Sequence, residues 1–227
     1  MTFAARLLRF LTEFPLPTPL PGGVLAESPY RDPAACSLLT EFAGKYSADN
    51  RPRVALLGIN PGRLGGGRTG IAFTDPGALT RFCGIAHGLP RQAPELSSGF
   101  IYEVIAEMGG PRAFYQHFYL GSVYPLTLLR EGLNYNYYDA PALTNALWTD
   151  MRLSLRQQVR ELGIRADVVV CLGKRNGLFL NKLNQELRLF QRVVVLDHPR
   201  FLMQYKRKDL TANVGRYVAA LAEAAGL

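Results

Sequence analysis

Apolar residues recur at Phe3, Leu7, Phe10, Leu11 and Phe14, which places them on one side of a helix over residues 1–14. Pro15, Pro17, Pro19 and Pro21, followed by Gly22-Gly23, end it. A helix with one apolar side needs a surface to cover, so residues 1–50 read as a helical strap laid over the body. A second helix over 33–46 carries Ala34, Leu38, Leu39 and Phe42. Beyond it the period changes. Arg53–Ile59 (RVALLGI) is a nearly continuous apolar run, as expected of a strand covered on both faces. Residues 99–108 look helical and stop at Gly109-Gly110-Pro111, and 117–124 is an aromatic-rich strand. A helix over 142–162 ends at Gly163. Asp167–Leu172 (DVVVCL) and Arg192–Leu196 (RVVVL) read as two further buried strands, with residues 174–189 helical in their middle between them. Residues 211–225 form the closing helix.

Strand–helix alternation predicts an α/β fold: a three-layer α/β/α architecture with a central four-stranded parallel sheet, in a single domain spanning residues 1–227. Such sheets bind ligands beyond the carboxyl ends of their strands. Asn60-Pro61-Gly62, Ser122–Pro125, Gly173-Lys174-Arg175 and Asp197-His198-Pro199-Arg200 all fall there. Four separate segments would therefore converge on one rim.

Composition narrows the partner. The 227 residues are 48% hydrophobic and 19% charged, which is globular, and the net charge is +8. That excess favours an anionic partner, nucleic acid before an anionic membrane, although it also serves plain solubility. The three cysteines, Cys36, Cys83 and Cys171, are too scattered for a zinc or iron–sulfur site. With only three histidines besides, no metal or other cofactor is expected. Free thiols fit a reducing, cytoplasmic setting. FAARLLRFL, interrupted by arginines, is an amphipathic helix rather than a signal peptide, and nothing reaches the length of a transmembrane span.

The densest motif is LLGINPGRLGGGRTGIAF, Leu56–Phe73. It lacks the G-K-[ST] ending of a phosphate loop and fits the dinucleotide-binding pattern badly, and Pro61 removes a backbone donor that a phosphate cradle would want. Turn geometry explains a glycine or two, but not Asn60 at the strand end, where an amide oxygen can orient a water. His87 and His117 read as structural. His198 follows a strand, precedes a proline and shares the rim with Asn60; a neutral imidazole there can donate to an oxygen gaining charge. Beyond it, Arg200, Phe201, Gln204, Lys206, Arg207 and Lys208 lie in a segment where basic residues alternate with Leu202, Met203 and Tyr205. Such a segment suits phosphate clamping and an apolar wedge in a base stack. Lys174, Arg175, Arg63 and Arg68 extend the positive rim. Phe73, Phe118, Tyr119 and Tyr124 are stacking surface or core, and the tyrosines of NYNYYD, residues 134–139, read as a packed loop.

Gly58-Ile-Asn-Pro-Gly62, Thr69-Gly-Ile-Ala-Phe73 and the distant His198-Pro199 together resemble the uracil-DNA glycosylase superfamily, in particular its single-strand-selective monofunctional (SMUG) type. INPGR, TGIAFTDP, NYNYYD and HPRFLMQYK look like the bacterial second SMUG subgroup, and the likeness covers nearly the whole chain. It implies a monofunctional hydrolase that removes a damaged base from DNA; with no lysine in a motif position no lyase action is expected, and a monomer is the simpler expectation. Carried over, Asn60 positions the attacking water, and His198 stabilises the departing base. Phe73 stacks on the flipped base, and Ile59, Pro61, Gly62 and Gly66 with Gly121 and Ser122 complete the pocket. Two departures stand out. Ser122 occupies the position of the family's uracil-reading asparagine, and the family's H-P-S-P-R is shortened to His198-Pro199-Arg200. A hydroxyl cannot make an amide's paired hydrogen bonds, which implies a roomier choice of bases. The rival readings are a non-catalytic nucleic-acid-binding protein of the same fold and, from charge and glycine alone, a nucleotide-phosphate enzyme.

Overall fold

The computed structural model describes residues 1–90 and 92–227. The N-terminal stripe folds as α1 (Phe3–Glu13), with Thr2 capping it through the Ala5 N–H, and its apolar side is buried. After the proline-rich turn, a short strand β1 (Leu25–Glu27) precedes α2 (Pro33–Tyr46), which Asp32 caps and Pro33 opens. The buried run forms β2 (Arg53–Gly58), followed by α3 (Gly66–Thr69), α4 (Pro76–Cys83), α5 (Leu96–Glu107) and α6 (Gly110–His117). Next come β3 (Phe118–Ser122), β4 (Thr127–Arg130), β5 (Leu133–Asn134) and α7 (Pro141–Gln157), which runs on into a π turn over Gln158–Leu162. The chain closes with β6 (Ile164–Leu172), α8 (Lys174–Leu187), β7 (Arg192–Leu196), α9 (Pro199–Tyr205) and α10 (Leu210–Ala225).

The main sheet has four strands in the order β3-β2-β6-β7, all parallel. Helices flank it and one continuous core runs through it. The chain first moves from β2 to β3, then steps over β2 to β6 and on to β7. The order therefore reverses between β2 and β6, which opens a crevice beyond their carboxyl ends.

Several elements differ from the sequence reading. A small antiparallel sheet, β1-β4-β5, is built from strands of two to four residues, too short for alternation to register. Gly109-Gly110-Pro111 stops α5 but also starts α6, so His117 ends a helix rather than beginning a strand. The glycine run holds one turn of helix, α3, which no periodicity announces. Arg192–Leu196 is not a buried strand. As the last strand of the sheet its residues are half-buried or exposed, and the run of valines conceals that edge position.

The start of β2 is locked by Arg53, which is fully buried. Its guanidinium donates to Tyr115 O (2.7 Å), Arg51 O (3.0 Å), Tyr46 O (3.3 Å) and both oxygens of Asp49 (3.0 and 3.1 Å), and lies 4.5 Å from the Phe3 ring centroid. A buried cation is tolerable only when satisfied in this way. One side chain thus joins α2, the end of α6 and the N-terminal strap to the strand that delivers Asn60.

Candidate active site at the carboxyl edge of the sheet

Asn60 leaves the end of β2 and is held on both sides of its amide. Its Nδ2 donates to Tyr135 O (3.1 Å) and its Oδ1 accepts from Tyr137 N–H at 3.4 Å. The loop making these bonds is anchored in turn. Tyr137 is fully buried and its hydroxyl donates to Asn176 Oδ1 at 2.5 Å, while Asn176 Nδ2 donates to Leu57 O (3.2 Å) and Leu172 O (3.3 Å). Asn176, on α8, thereby ties the ends of the two central strands to the loop that orients Asn60. Phe73 closes one side of the crevice. Its ring lies so near β2 that a Cβ at Gly58 would stand 2.6 Å from Phe73 Cζ. Glycine at 58 is what lets the ring lie there. Phe73 itself adopts φ 54°, a strained conformation for a bulky residue, of the kind that gathers at functional sites.

His198 follows β7 and caps α9: the Arg200 N–H donates to its Nδ1 at 3.2 Å. Nδ1 therefore carries no proton, and the ring hydrogen sits on Nε2. Burial, with the Arg200 charge second, brings the imidazole down to about 4, so it is neutral at pH 7. The Tyr217 hydroxyl donates to Asp197 O and fixes the approach to this corner. The His198 and Phe73 ring centroids are 6.2 Å apart.

Between these walls lies a cleft of about 380 Å³. It brings together Ile59, Asn60, Pro61, Gly62, Gly66 and Phe73 from the glycine loop, Ser122 from β3, and His198, Arg200, Phe201 and Gln204 from the α9 corner. Gly121 is not among them. Gly121, packed under the Tyr119 ring, lines instead a smaller space of about 40 Å³, which Ser122 also borders. Phe118, Tyr119 and Tyr124 are core residues.

The expected cations divide. Arg63, Lys206, Arg207 and Lys208 are exposed, and Arg68 is half-buried in α3. Lys174 is drawn 3.3 Å from Asp197, and Arg175 donates to Tyr138 O (2.7 Å) and lies over the Tyr138 ring. Sequence reasoning missed Tyr138, Asn134 and Asn136, which line the cleft, and also Glu95 and Ser97. NYNYYD offered a signal, since so many aromatic and amide groups beside one turn need partners. Glu95 offered none. Among the described residues no cluster of His, Cys, Asp or Glu is placed to hold a metal, and no helix is long and apolar enough to cross a membrane.

The arrangement can take one flat, hydrogen-bonding group between Phe73 and a neutral imidazole donor, with an amide beside it to hold a water, under a rim of cations and exposed aromatics. That is the class of α/β protein to which DNA glycosylases belong. The chain is a member of the uracil DNA glycosylase superfamily, whose family model matches residues 45–222. Among solved structures, it is similar to that of wild-type SMUG2 from Pedobacter heparinus, with a TM-score of 0.94, 38% sequence identity and 100% of each chain covered. No curated protein matches the chain by sequence.

Proposed function

We propose that this protein is a monofunctional DNA glycosylase that hydrolyses the N-glycosidic bond of uracil, and of other deaminated or oxidised bases, as the opening step of base excision repair. The observation that carries the reading is that Asn60 and a neutral His198 line one cleft against Phe73. DNA lies along the rim of Arg63, Lys206, Arg207 and Lys208. Phe201 (43% exposed) and Tyr205 (65% exposed), with ring centroids 5.4 Å apart, meet the stack that the damaged nucleotide leaves. Flipping costs a few kcal/mol. The base enters beside Phe73, with the Ser122 hydroxyl at its edge. As the glycosidic bond breaks, its electron pair goes to the base, and the His198 Nε2–H donates to the base oxygen that gains charge. Asn60 holds the water that attacks the sugar. Ser122 offers one hydroxyl where an amide would read uracil from two atoms, which fits acceptance of several bases. No lysine lines the cleft among the described residues, so the reading includes no Schiff base and no strand cleavage.

The test is incubation of the protein with single- and double-stranded DNA carrying uracil, hydroxymethyluracil, xanthine or hypoxanthine, followed by alkali. The expected result is an alkali-dependent break at the lesion. DNA binding with no break for any lesion overturns the enzymatic reading and leaves a binding protein of the same fold.

A further inference from the structure

Glu95 is the one carboxyl-bearing residue among the described residues that line the cleft. Its main chain is fixed, because its N–H donates to Asp75 Oδ2 at 2.8 Å while Asp75 Oδ1 caps α4 through the Ala78 N–H, also at 2.8 Å. Its side chain turns onto the glycine loop. A Cβ at Gly65 would stand 1.8 Å from Glu95 Oε2, and one at Gly62 would stand 3.2 Å from Oε1. Position 65 therefore has room for the carboxyl only because it is glycine. Among the described residues, neither carboxyl oxygen is engaged in a hydrogen bond. Gly62 follows Asn60 by two residues, so carboxyl and amide flank the same short stretch of chain.

Hydrolysis leaves one proton unaccounted for. The water oxygen bonds to C1′, the C1′–N bond breaks with its electron pair going to the base, and the water must lose a proton. The Asn60 amide is no base. The Nδ1 of His198 already accepts from Arg200 N–H, and its Nε2 carries the hydrogen. We propose that Glu95 is a catalytic residue, whose carboxylate takes the proton released by the attacking water and opposes its negative charge to the electron-poor sugar. The proton then passes to solvent or to the departed base. This role rests on the glycosylase reading above.

The surroundings set when the carboxylate is available. Burial first, and Asp75 second, push Glu95 up to about 7, while Arg200 on α9 pulls it down. His198, which caps α9, is uncharged there, and Arg63 and Arg68 belong to the glycine loop on which the carboxyl packs.

The test is single-turnover base release from the DNA that the wild type cleaves best, across pH, with Glu95→Gln and Glu95→Asp. The wild-type rate should rise about tenfold per pH unit below about 7 and level off above it. At pH 8 Glu95→Gln should be slower by about 10²-fold or more, with a profile flat from about pH 5.5 to 8. Glu95→Asp should keep the slope at an intermediate rate.

Folding is checked by thermal melting. The folded state holds the Glu95 proton more tightly than the unfolded chain, so this group's stabilisation is full below its usual 4.5 and is lost as pH rises through about 7. The glutamine escapes that loss, and the variant should melt at or above the wild type at pH 8. Wild-type release with an unchanged rate or an unchanged pH profile in Glu95→Gln overturns this proposal alone. No release by the wild type from any DNA overturns the glycosylase reading, and this proposal with it.

Discussion

The ends of β2 and β7 each deliver one candidate group to the same cleft, and they are built in opposite ways. At β2 the strand is fully buried, and Asn60 is held by a loop that Tyr137 and Asn176 anchor from within the core. At β7 the strand is an edge. His198 is half-buried and tied to its own helix by one bond, and the residues that follow expose cations and aromatic rings. In the proposed reaction the difference separates two tasks. A water must be placed to a fraction of an ångström, which calls for a group held by a satisfied buried network. A DNA backbone must be met in many registers, which calls for exposed charge with few partners inside the protein.

Breaking the β2 side should have the larger effect. Asn176→Leu leaves the buried Tyr137 hydroxyl without its acceptor and Leu57 O without its donor. Denaturant unfolding should register a loss of about 3 kcal/mol, at about 1–3 kcal/mol for each unsatisfied group. Base release at saturating enzyme should fall by about tenfold or more as the loop holding Asn60 loosens, with little change in DNA affinity. Full activity in this variant would remove the contrast between the two ends. On the other side, Lys206→Ala, Arg207→Ala and Lys208→Ala combined should leave the single-turnover rate at saturation unchanged. DNA affinity should weaken and its salt dependence flatten, by roughly one unit of slope for each phosphate that no longer meets a cation. A triple variant with the wild-type salt slope would place the DNA elsewhere.

These two regions were not equally legible in the sequence. The strands show themselves as unbroken apolar runs, and parallel order alone places Asn60, Ser122, Gly173 and His198 on one rim. What failed was whatever depends on a distant segment. Glu95 sits in a polar stretch where an acid is unremarkable, and its packing against Gly62 and Gly65 shows only in the folded chain. Tyr135 and Tyr137 hold Asn60 through a carbonyl and an N–H, groups that nearly every residue has. The edge position of β7 is invisible in its valines. Gly121 is different: it lies next to Ser122 in the strand, but of the two only Ser122 lines the main cleft.

Asn60 is the residue on which the proposed reaction most directly depends. Single-turnover release of uracil by Asn60→Ala, compared with the wild type at saturating enzyme, should be slower by about two orders of magnitude or more, with DNA binding retained. A near-normal rate in that variant would contradict the assignment of the reaction to the end of β2.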